Sequence, residues 1–235
     1  MKNVPNIITC LNLFAGCMAC VMALRFDNYT GAFVFIILAS VFDFLDGFAA
    51  RLLKAYSKLG AELDSLADVV SFGLAPGCVM YSYLNTLSTQ VNLPELPFLA
   101  FLIPIFSALR LAKFNIDTRQ TDSFLGLPVP ANGIFWASFA PAVLGCSQQN
   151  PVLWIILMLI LILVFCLLMV SEIPMFSLKF KSFKWKGNEW PFLLLLFSLI
   201  IIVVSSMLNQ LFLGISSIIV LFISMSLIKN TISKS

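Results

Sequence analysis

Histidine is absent from this chain of 235 residues, and charged side chains make up only 11% of it. Without an imidazole, the chain can form neither a serine–histidine–aspartate triad nor a histidine-ligated metal site. Any proton transfer must therefore use a carboxylate, lysine, tyrosine or cysteine. Soluble domains contain roughly 25% charged residues, whereas hydrophobic residues account for 60% of this sequence. The composition predicts an integral membrane protein.

Long hydrophobic runs occupy most of the chain, and the polar stretches between them are short. Each run is about 17 to 25 residues long, which is the length that an α-helix needs to cross a bilayer. We predict an all-α bundle of about eight transmembrane helices that forms a single membrane domain over residues 1–235. Pro141 lies within the predicted fifth span, and residues 126–130, which include two prolines, predict a rigid turn that enters this span. The predicted spans begin near Ile7, Thr30, Asp64, Leu96, Asn132, Val152, Pro191 and Leu211.

The basic residues occur in alternate loops, and this distribution predicts the orientation of the chain. Cytoplasmic loops of membrane proteins carry an excess of lysine and arginine. We therefore expect both termini and the basic loops to face the cytoplasm, in a multi-pass protein of the cytoplasmic membrane. Arg25 is the only basic residue expected on the opposite side. The basic residues expected on the cytoplasmic side are Lys2, Arg51, Lys54, Lys58, Arg110, Lys113, Arg119, Lys179, Lys181, Lys184, Lys186, Lys229 and Lys234.

The longest polar interruption, at residues 171–190, combines lysines with Phe176, Phe180, Phe183 and Trp185. A mixture of basic and aromatic side chains is suited to the headgroup layer of a membrane, where it would attract anionic lipids. We interpret the segment either as an interfacial stretch or as an ordinary solvated loop.

Four aspartates stand close together in this apolar sequence, at Asp43, Asp46, Asp64 and Asp68. The first two are three residues apart and the last two are four apart, so each pair lies on one face of a helix. The two helices would run antiparallel and bring the pairs together. Like charges about 4 Å apart repel by about 4 kcal/mol at an effective dielectric near 20. We therefore predict that the four carboxylates hold two divalent cations, and all-oxygen ligation favours Mg²⁺ or Mn²⁺.

Small residues and an arginine accompany the acids, and they indicate phosphate chemistry. Gly47 and Ala50 leave the acidic face of the helix without bulk, so a nucleotide or pyrophosphate can approach the backbone. Arg51 offers a charge-assisted hydrogen bond to phosphate, and Gly60 permits a turn or a close approach. A divalent-cation transporter would use the same acids, but it has no need of these neighbours. The predicted fifth to eighth spans also contain no acid.

The arrangement resembles the CDP-alcohol phosphatidyltransferase family. The resemblance implies transfer of a phosphatidyl group from a CDP-linked lipid to an alcohol, with release of CMP and dependence on Mg²⁺ or Mn²⁺. It also implies that the four acids hold two metal ions, that Asp68 is the base, and that the chain forms a homodimer. The matching signature residues are Asp43, Asp46, Gly47, Ala50, Arg51, Gly60, Asp64 and Asp68.

The resemblance extends to residues that bind the CDP-linked lipid. An Asn-x-x-Thr element matches at Asn6 and Thr9, which would otherwise be interpreted as a helix cap. Ser57 matches a further position of this set, with an ordinary loop residue as the alternative. The residues expected to bind the CDP-lipid are Asn6, Thr9, Gly47, Ala50, Arg51, Ser57 and Gly60.

Three segments narrow the acceptor alcohol: residues 65–77, 110–115 and 126–131 resemble those of the multi-span phosphatidylserine synthases. The expected substrates are therefore CDP-diacylglycerol and L-serine within membrane lipid, with no nucleic-acid partner. Members that accept glycerol phosphate, inositol, inositol phosphate or choline remain the alternatives. Ser71, Gly73, Pro76 and Gly77 can loosen the third helix beyond Asp68 and free backbone polar groups for the acceptor. Helix packing is the alternative role for these small residues, and topology control is the alternative role for Arg110. The residues assigned to the acceptor are Ser71, Gly73, Arg110 and Asn115.

Overall fold

The computed structural model describes residues 3–117, 124–176 and 188–232, and these are almost entirely helical. Within these described residues, eight helices are long and apolar enough to cross a membrane, which confirms the predicted all-α membrane bundle. Lys2, Arg119, Lys234 and most of the predicted interfacial segment, at residues 177–187, lie outside the described residues. The α-helices are α1 Val4–Phe26, α2 Tyr29–Leu52, α3 Lys58–Asp68, α4 Ala75–Ser88, α5 Leu102–Ile116, α6 Val129–Ser147, α7 Pro151–Val170, α8 Glu189–Met207 and α9 Leu211–Ile232.

The third span begins six residues before the predicted start at Asp64 and is built from α3, a π-helical segment and α4. Ser57 caps α3, because its hydroxyl accepts a hydrogen bond from the backbone N–H of Gly60 at 2.9 Å. The first turns of α3 are polar and resemble a loop in sequence, which explains why the start of the span was predicted too far along the chain. The π-helical segment, Val69–Leu74, follows Asp68 directly, and such segments often occur at functional sites.

The fifth span is regular, although a proline lies within it. Helix α6 runs from Val129 to Ser147 and continues through Pro141, as membrane helices can when neighbours satisfy the freed backbone groups. Gly126 precedes the helix with a φ of +73°, a left-handed conformation that favours glycine. The predicted rigid turn before this span is therefore present.

Small residues form the contact between the first two helices. Ala15, Ala19 and Ala23 of α1 are buried, as are Ala32 and Ala39 of α2. Small side chains let two membrane helices approach closely, which favours van der Waals packing where no hydrophobic effect acts. This close packing fixes α1 beside the part of α2 that carries the first two aspartates.

A short two-stranded ribbon joins distant parts of the chain at one end of the bundle. Strand β1, Phe124–Leu125, pairs antiparallel with β2, Pro174–Met175. The side chain of Asn230, near the end of α9, donates to the carbonyl of Pro174 at 2.6 Å. The loop before α6 is thus attached to the ends of α7 and α9.

Candidate active site

Three of the four predicted metal ligands meet between the end of α2 and the start of the third span. One carboxylate oxygen from each of Asp43, Asp64 and Asp68 lies within 4.8 Å of the other two. We call these three residues the acid trio. The Oδ1 atom of Asp64 is buried and has no hydrogen-bond partner in the described part of the chain. Because a buried unpaired carboxylate oxygen is costly, the donor set fits a divalent cation with oxygen ligands.

The fourth signature acid, Asp46, lies outside the acid trio and is held by α1. Its Oδ2 accepts a hydrogen bond from the hydroxyl of Thr9 at 2.6 Å. The same hydroxyl is 3.0 Å from the carbonyl of Pro5. It has only one proton, and the shorter contact to a charged acceptor is the stronger one. Asp46 is therefore buried with one oxygen paired.

Helix α1 contributes a second side chain to the site, Asn12, which was not predicted from the sequence. The amide of Asn12 is fully buried, and its Nδ2 donates to Oδ1 of Asp68 at 3.4 Å. Asn6, Thr9 and Asn12 recur every three residues, and this spacing places them near one face of a helix. That periodicity of polar residues within an apolar span was the signal that could have identified Asn12.

A cleft opens beside Asp46 between α1, α2 and the start of α3, and we call it the first pocket. Six of the seven residues predicted to bind the CDP-lipid line it, whereas Arg51 does not and is exposed in the last turn of α2. A Cβ atom built on Gly47 would meet nothing within 4 Å, so this glycine leaves open space in the pocket. The lining residues are Pro5, Asn6, Thr9, Asp46, Gly47, Ala50, Ala55, Tyr56, Ser57, Gly60, Ala61 and Asp64.

A second pocket lies on the other side of α3, against α5 and the turn before α6. It shares Ala61 and Asp64 with the first pocket, so the acid trio lies between the two. Ser65, Pro128 and Pro130 also line it; they belong to the segments at residues 65–77 and 126–131 that resemble the phosphatidylserine synthases, but they were not among the residues assigned to the acceptor. The lining residues are Ala61, Asp64, Ser65, Asp68, Arg110, Leu111, Phe114, Asn115, Pro128 and Pro130.

Two of the four residues predicted to bind the acceptor line this second pocket. Arg110 is only 7% exposed, and its Nη2 has no hydrogen-bond partner among the residues that the structure describes. Its guanidinium lies over the ring of Phe114, 5.1 Å from the centroid. Asn115 donates from its amide to the hydroxyl of Ser65 at 3.0 Å. A buried guanidinium with a free donor favours an anionic ligand.

The other two residues assigned to the acceptor lie in helix contacts. Ser71 is buried and donates its hydroxyl to the backbone carbonyl of Asn12 at 3.0 Å. A Cβ on Gly73 would lie 3.0 Å from the Cβ of Ser107 and 3.4 Å from Cα of Pro104. Neither residue lines the second pocket, so packing accounts for both, and contact with the acceptor stays a prediction.

Comparison with known proteins agrees with this geometry. The family model described as CDP-alcohol phosphatidyltransferase matches residues 2–227. The chain is 40% identical over 138 residues to the CDP-diacylglycerol–serine O-phosphatidyltransferase of Bacillus subtilis, a match covering 57% of this chain and 73% of that protein.

Two further relatives carry the same name. The protein from Methanocaldococcus jannaschii is 34% identical over 171 residues, which cover 73% of this chain and 72% of that protein. The protein from Helicobacter pylori strain J99 is 37% identical over 132 residues, covering 55% of this chain and 54% of that protein. Because the family model matches nearly the whole of this chain, the chain belongs to the CDP-alcohol phosphatidyltransferase family.

Proposed function

We propose that the chain transfers the phosphatidyl group of CDP-diacylglycerol to the hydroxyl of L-serine, giving phosphatidylserine and CMP. The observation that carries the proposal is the position of the acid trio between two pockets of different character. The first pocket is open beside Gly47, and the second contains the buried guanidinium of Arg110. The name shared by the relatives supports serine as the acceptor.

Divalent cations, Mg²⁺ or Mn²⁺, fit the acidic cluster. Asp43, Asp64 and Asp68 would hold one ion, and Asp46 would complete the ligands for a second. When bound, the ions would neutralise the negative charge that develops on the phosphoryl centre and on the leaving group. The unpaired buried oxygen of Asp64 supports this assignment.

The first pocket would receive the cytidine diphosphate portion of the lipid. Gly47, Ala50 and Gly60 line it without bulky side chains, so the phosphates can approach the helix backbone. The Ser57 hydroxyl also lies in its wall. Arg51 is exposed at the end of α2, where its guanidinium can pair with a phosphate at the rim.

The second pocket would receive serine, with the carboxylate paired to Arg110. Choline and inositol carry no anionic group to satisfy this guanidinium, whereas serine does. A phosphorylated acceptor carries more negative charge, but Arg110 is the only basic residue among the described residues that line the pocket. The charge of the pocket therefore favours a carboxylate over a phosphate monoester.

We assign Asp68 as the base, because its side chain belongs both to the acid trio and to the wall of the second pocket. Its carboxylate would take the proton of the serine hydroxyl as the oxygen attacks the phosphorus attached to diacylglycerol. The new oxygen–phosphorus bond forms as the bond to the bridging oxygen breaks, and CMP leaves with that electron pair. Holding both substrates across one helix lowers the entropic cost of bringing them together.

The orientation of the site is part of the proposal. The basic residues at the ends of α2, α5 and α9 support a cytoplasmic site, with both termini on the same side of a cytoplasmic membrane. We also propose a homodimer, on the basis of family resemblance.

The experiment that tests the function measures CMP release from CDP-diacylglycerol by the purified protein in detergent–lipid micelles. Mn²⁺ or Mg²⁺ is supplied, and L-serine is compared with glycerol 3-phosphate, inositol and choline. We expect release with serine, none after chelation of the metal, and none in Asp68→Asn. In Arg110→Lys, loss of a charge-assisted hydrogen bond worth about 1.5 to 3 kcal/mol would raise the KM for serine by about 10- to 150-fold.

The acceptor panel distinguishes the alternatives. Release with a different alcohol would retain the family chemistry and contradict serine as the acceptor. No release with any acceptor, together with Mn²⁺ uptake into vesicles containing the protein, would favour the divalent-cation transporter.

A further inference from the structure

Asn12 lies in the middle of α1, outside both pockets, yet its side chain is fully buried beside the acid trio. Its Nδ2 donates to Asp68, while its Oδ1 is buried with no hydrogen-bond partner within the described ranges. A buried amide oxygen without a partner is costly. Leucine would fill similar space at this position without that cost. The presence of asparagine therefore requires an explanation, and the contact with Asp68 offers one.

The backbone around Asn12 is fixed against the π-helical segment that follows Asp68. The carbonyl of Asn12 accepts a hydrogen bond from Ser71 at 3.0 Å. One turn further along α1, a Cβ on Gly16 would lie only 2.7 Å from Cα of Ser71, so no larger residue fits without a shift. These contacts hold the amide of Asn12 at a defined place beside Asp68.

The acid trio creates a need for such a contact. Carboxylate oxygens within 4.8 Å of one another repel, and a carboxylate can rotate about its last side-chain bond to increase the separation. A lysine or arginine donor would prevent rotation but would also cancel charge that a cation needs. A neutral amide orients Asp68 and leaves the charge of the cluster unchanged.

Thr9 makes a similar contact with α2, the other helix that carries aspartates of the site. It lies three residues before Asn12 on α1, and its hydroxyl donates to Asp46 of α2 at 2.6 Å. Helix α1 thus provides one neutral donor to α2 and one to α3.

We propose that Asn12 is a positioning residue for Asp68, which its amide holds in a fixed orientation relative to Asp43 and Asp64. The proposal rests on the proposed function, because it assumes that Asp68 takes part in cation binding and phosphatidyl transfer. Asn12 itself touches neither pocket.

The test compares Asn12→Leu with the unsubstituted full-length protein in micelles. Binding of Mn²⁺ alone is measured by the loss of the free-ion electron paramagnetic resonance signal, and kcat and KM are measured at saturating Mn²⁺. Because residues that orient metal ligands typically contribute about 10- to 100-fold to affinity or activity, we expect Mn²⁺ affinity and kcat to fall by that factor. The KM for CDP-diacylglycerol should change little.

Asn132 provides a matched control, because it is also a fully buried asparagine with one unpaired end. Its Oδ1 accepts from Trp136 at 3.0 Å, and its Nδ2 has no partner among the described residues. Asn132→Leu should leave the Mn²⁺ affinity of the folded protein unchanged. Asn12→Gln, which retains an amide donor, should recover part of the loss seen in Asn12→Leu.

Three results would overturn the proposal. These are unchanged Mn²⁺ affinity and kcat in folded Asn12→Leu, an equal loss in Asn12→Gln, or an equal loss of Mn²⁺ affinity in Asn132→Leu. If Asn12→Leu does not fold, Asn12→Ala replaces it in the same comparison. A different acceptor alcohol would contradict the proposed function alone, because Mn²⁺ binding is measured without any acceptor.

Discussion

Gly47 illustrates, at the scale of a single residue, how an absent side chain forms a pocket. It lies in the interior of α2, where glycine costs about 0.8 to 1.0 kcal/mol relative to alanine. Gly16 has a packing reason to lack a side chain, since Ser71 lies against it, but a Cβ on Gly47 would meet nothing within 4 Å. Space for a ligand therefore explains this glycine better than packing does.

We predict that Gly47→Leu folds normally but binds CDP-diacylglycerol poorly. The new side chain would occupy the first pocket, and a loss of about 1.4 to 2.8 kcal/mol would raise the KM for the lipid by about 10- to 100-fold. Steady-state kinetics and thermal unfolding measure the two effects. Gly145→Leu is the control, because its Cβ would also enter open space outside both pockets. An unchanged KM in folded Gly47→Leu would contradict the assignment of this pocket.

The sequence was sufficient to predict that three of the acids meet, but not which side chains they contact. The spacing of Asp43, Asp64 and Asp68 was sufficient to predict that they meet, because helical periodicity fixes which side chains share a face. The pairing of Asp46 with Thr9 and the burial of Asn12 depend on how α1 packs against α2 and α3. That packing joins residues 37 and 56 positions apart, which local patterns do not encode.

At the scale of an element, the β1–β2 ribbon fixes one wall of the second pocket. Immediately after β1, the backbone N–H of Gly126 donates to the carbonyl of Ile173 at 2.9 Å, and that of Leu127 donates to Leu168 at 3.0 Å. Pro128 and Pro130, which line the pocket, follow directly. The position of this wall thus depends on the end of α7.

We predict that Gly126→Ala lowers both stability and acceptor binding. A left-handed conformation costs a residue with a Cβ about 1 to 2 kcal/mol, and here the Cβ would also collide with the carbonyl oxygen of Met169. The unfolding temperature should fall, and the KM for serine should rise more than that for CDP-diacylglycerol. Gly145→Ala serves as the control, since its Cβ is unobstructed. An equal rise in the KM for serine and the KM for CDP-diacylglycerol would show that the ribbon has no selective effect on the second pocket.

The sequence predicted every span but not all of their boundaries or irregularities. Hydrophobic length was sufficient for eight helices, because a bilayer imposes a minimum length. The polar start of α3 was not predicted, since its helical structure depends on neighbouring helices, whereas the fifth span was predicted across Pro141 and α6 does continue through it. Glycines and a proline after Asp68 indicated a loosened helix, and the structure has a π-helical segment at residues 69–74.

At the scale of the whole molecule, basic residues and the acidic site lie at the same end of the bundle. Lys113, in the last turn of α5, is 3.8 Å from Glu172, just beyond α7. Asn115 of α5 contacts Ser65 of α3, which brings the end of α5 to the acidic helix. Arg25 lies in the last turn of α1 at the opposite end of the bundle, where Asp27 accepts a hydrogen bond from Ser82.

We predict that the acidic end faces the cytoplasm and test this with single cysteines. The six native cysteines are replaced by serine, and Lys54→Cys or Asn209→Cys is then introduced. A membrane-impermeant thiol reagent should label Asn209→Cys in intact cells, because that residue lies in the α8–α9 turn at the other face. It should label Lys54→Cys only after permeabilisation. Labelling of Lys54→Cys in intact cells would reverse the orientation.

The two contacts of α1 also place the aspartates at different levels along the bundle. Thr9 and Asn12 are three residues apart, and the rise of an α-helix separates their levels by about 4.5 Å. Asp46 therefore lies nearer the basic end than Asp68, and the first pocket reaches Pro5 and Asn6 at the very start of α1. If the first pocket holds the cytidine diphosphate group as proposed, CMP released there would have a short exit to water that does not pass through the second pocket, while phosphatidylserine would stay among the lipids. Dilution of CMP into the aqueous phase would then oppose the reverse reaction.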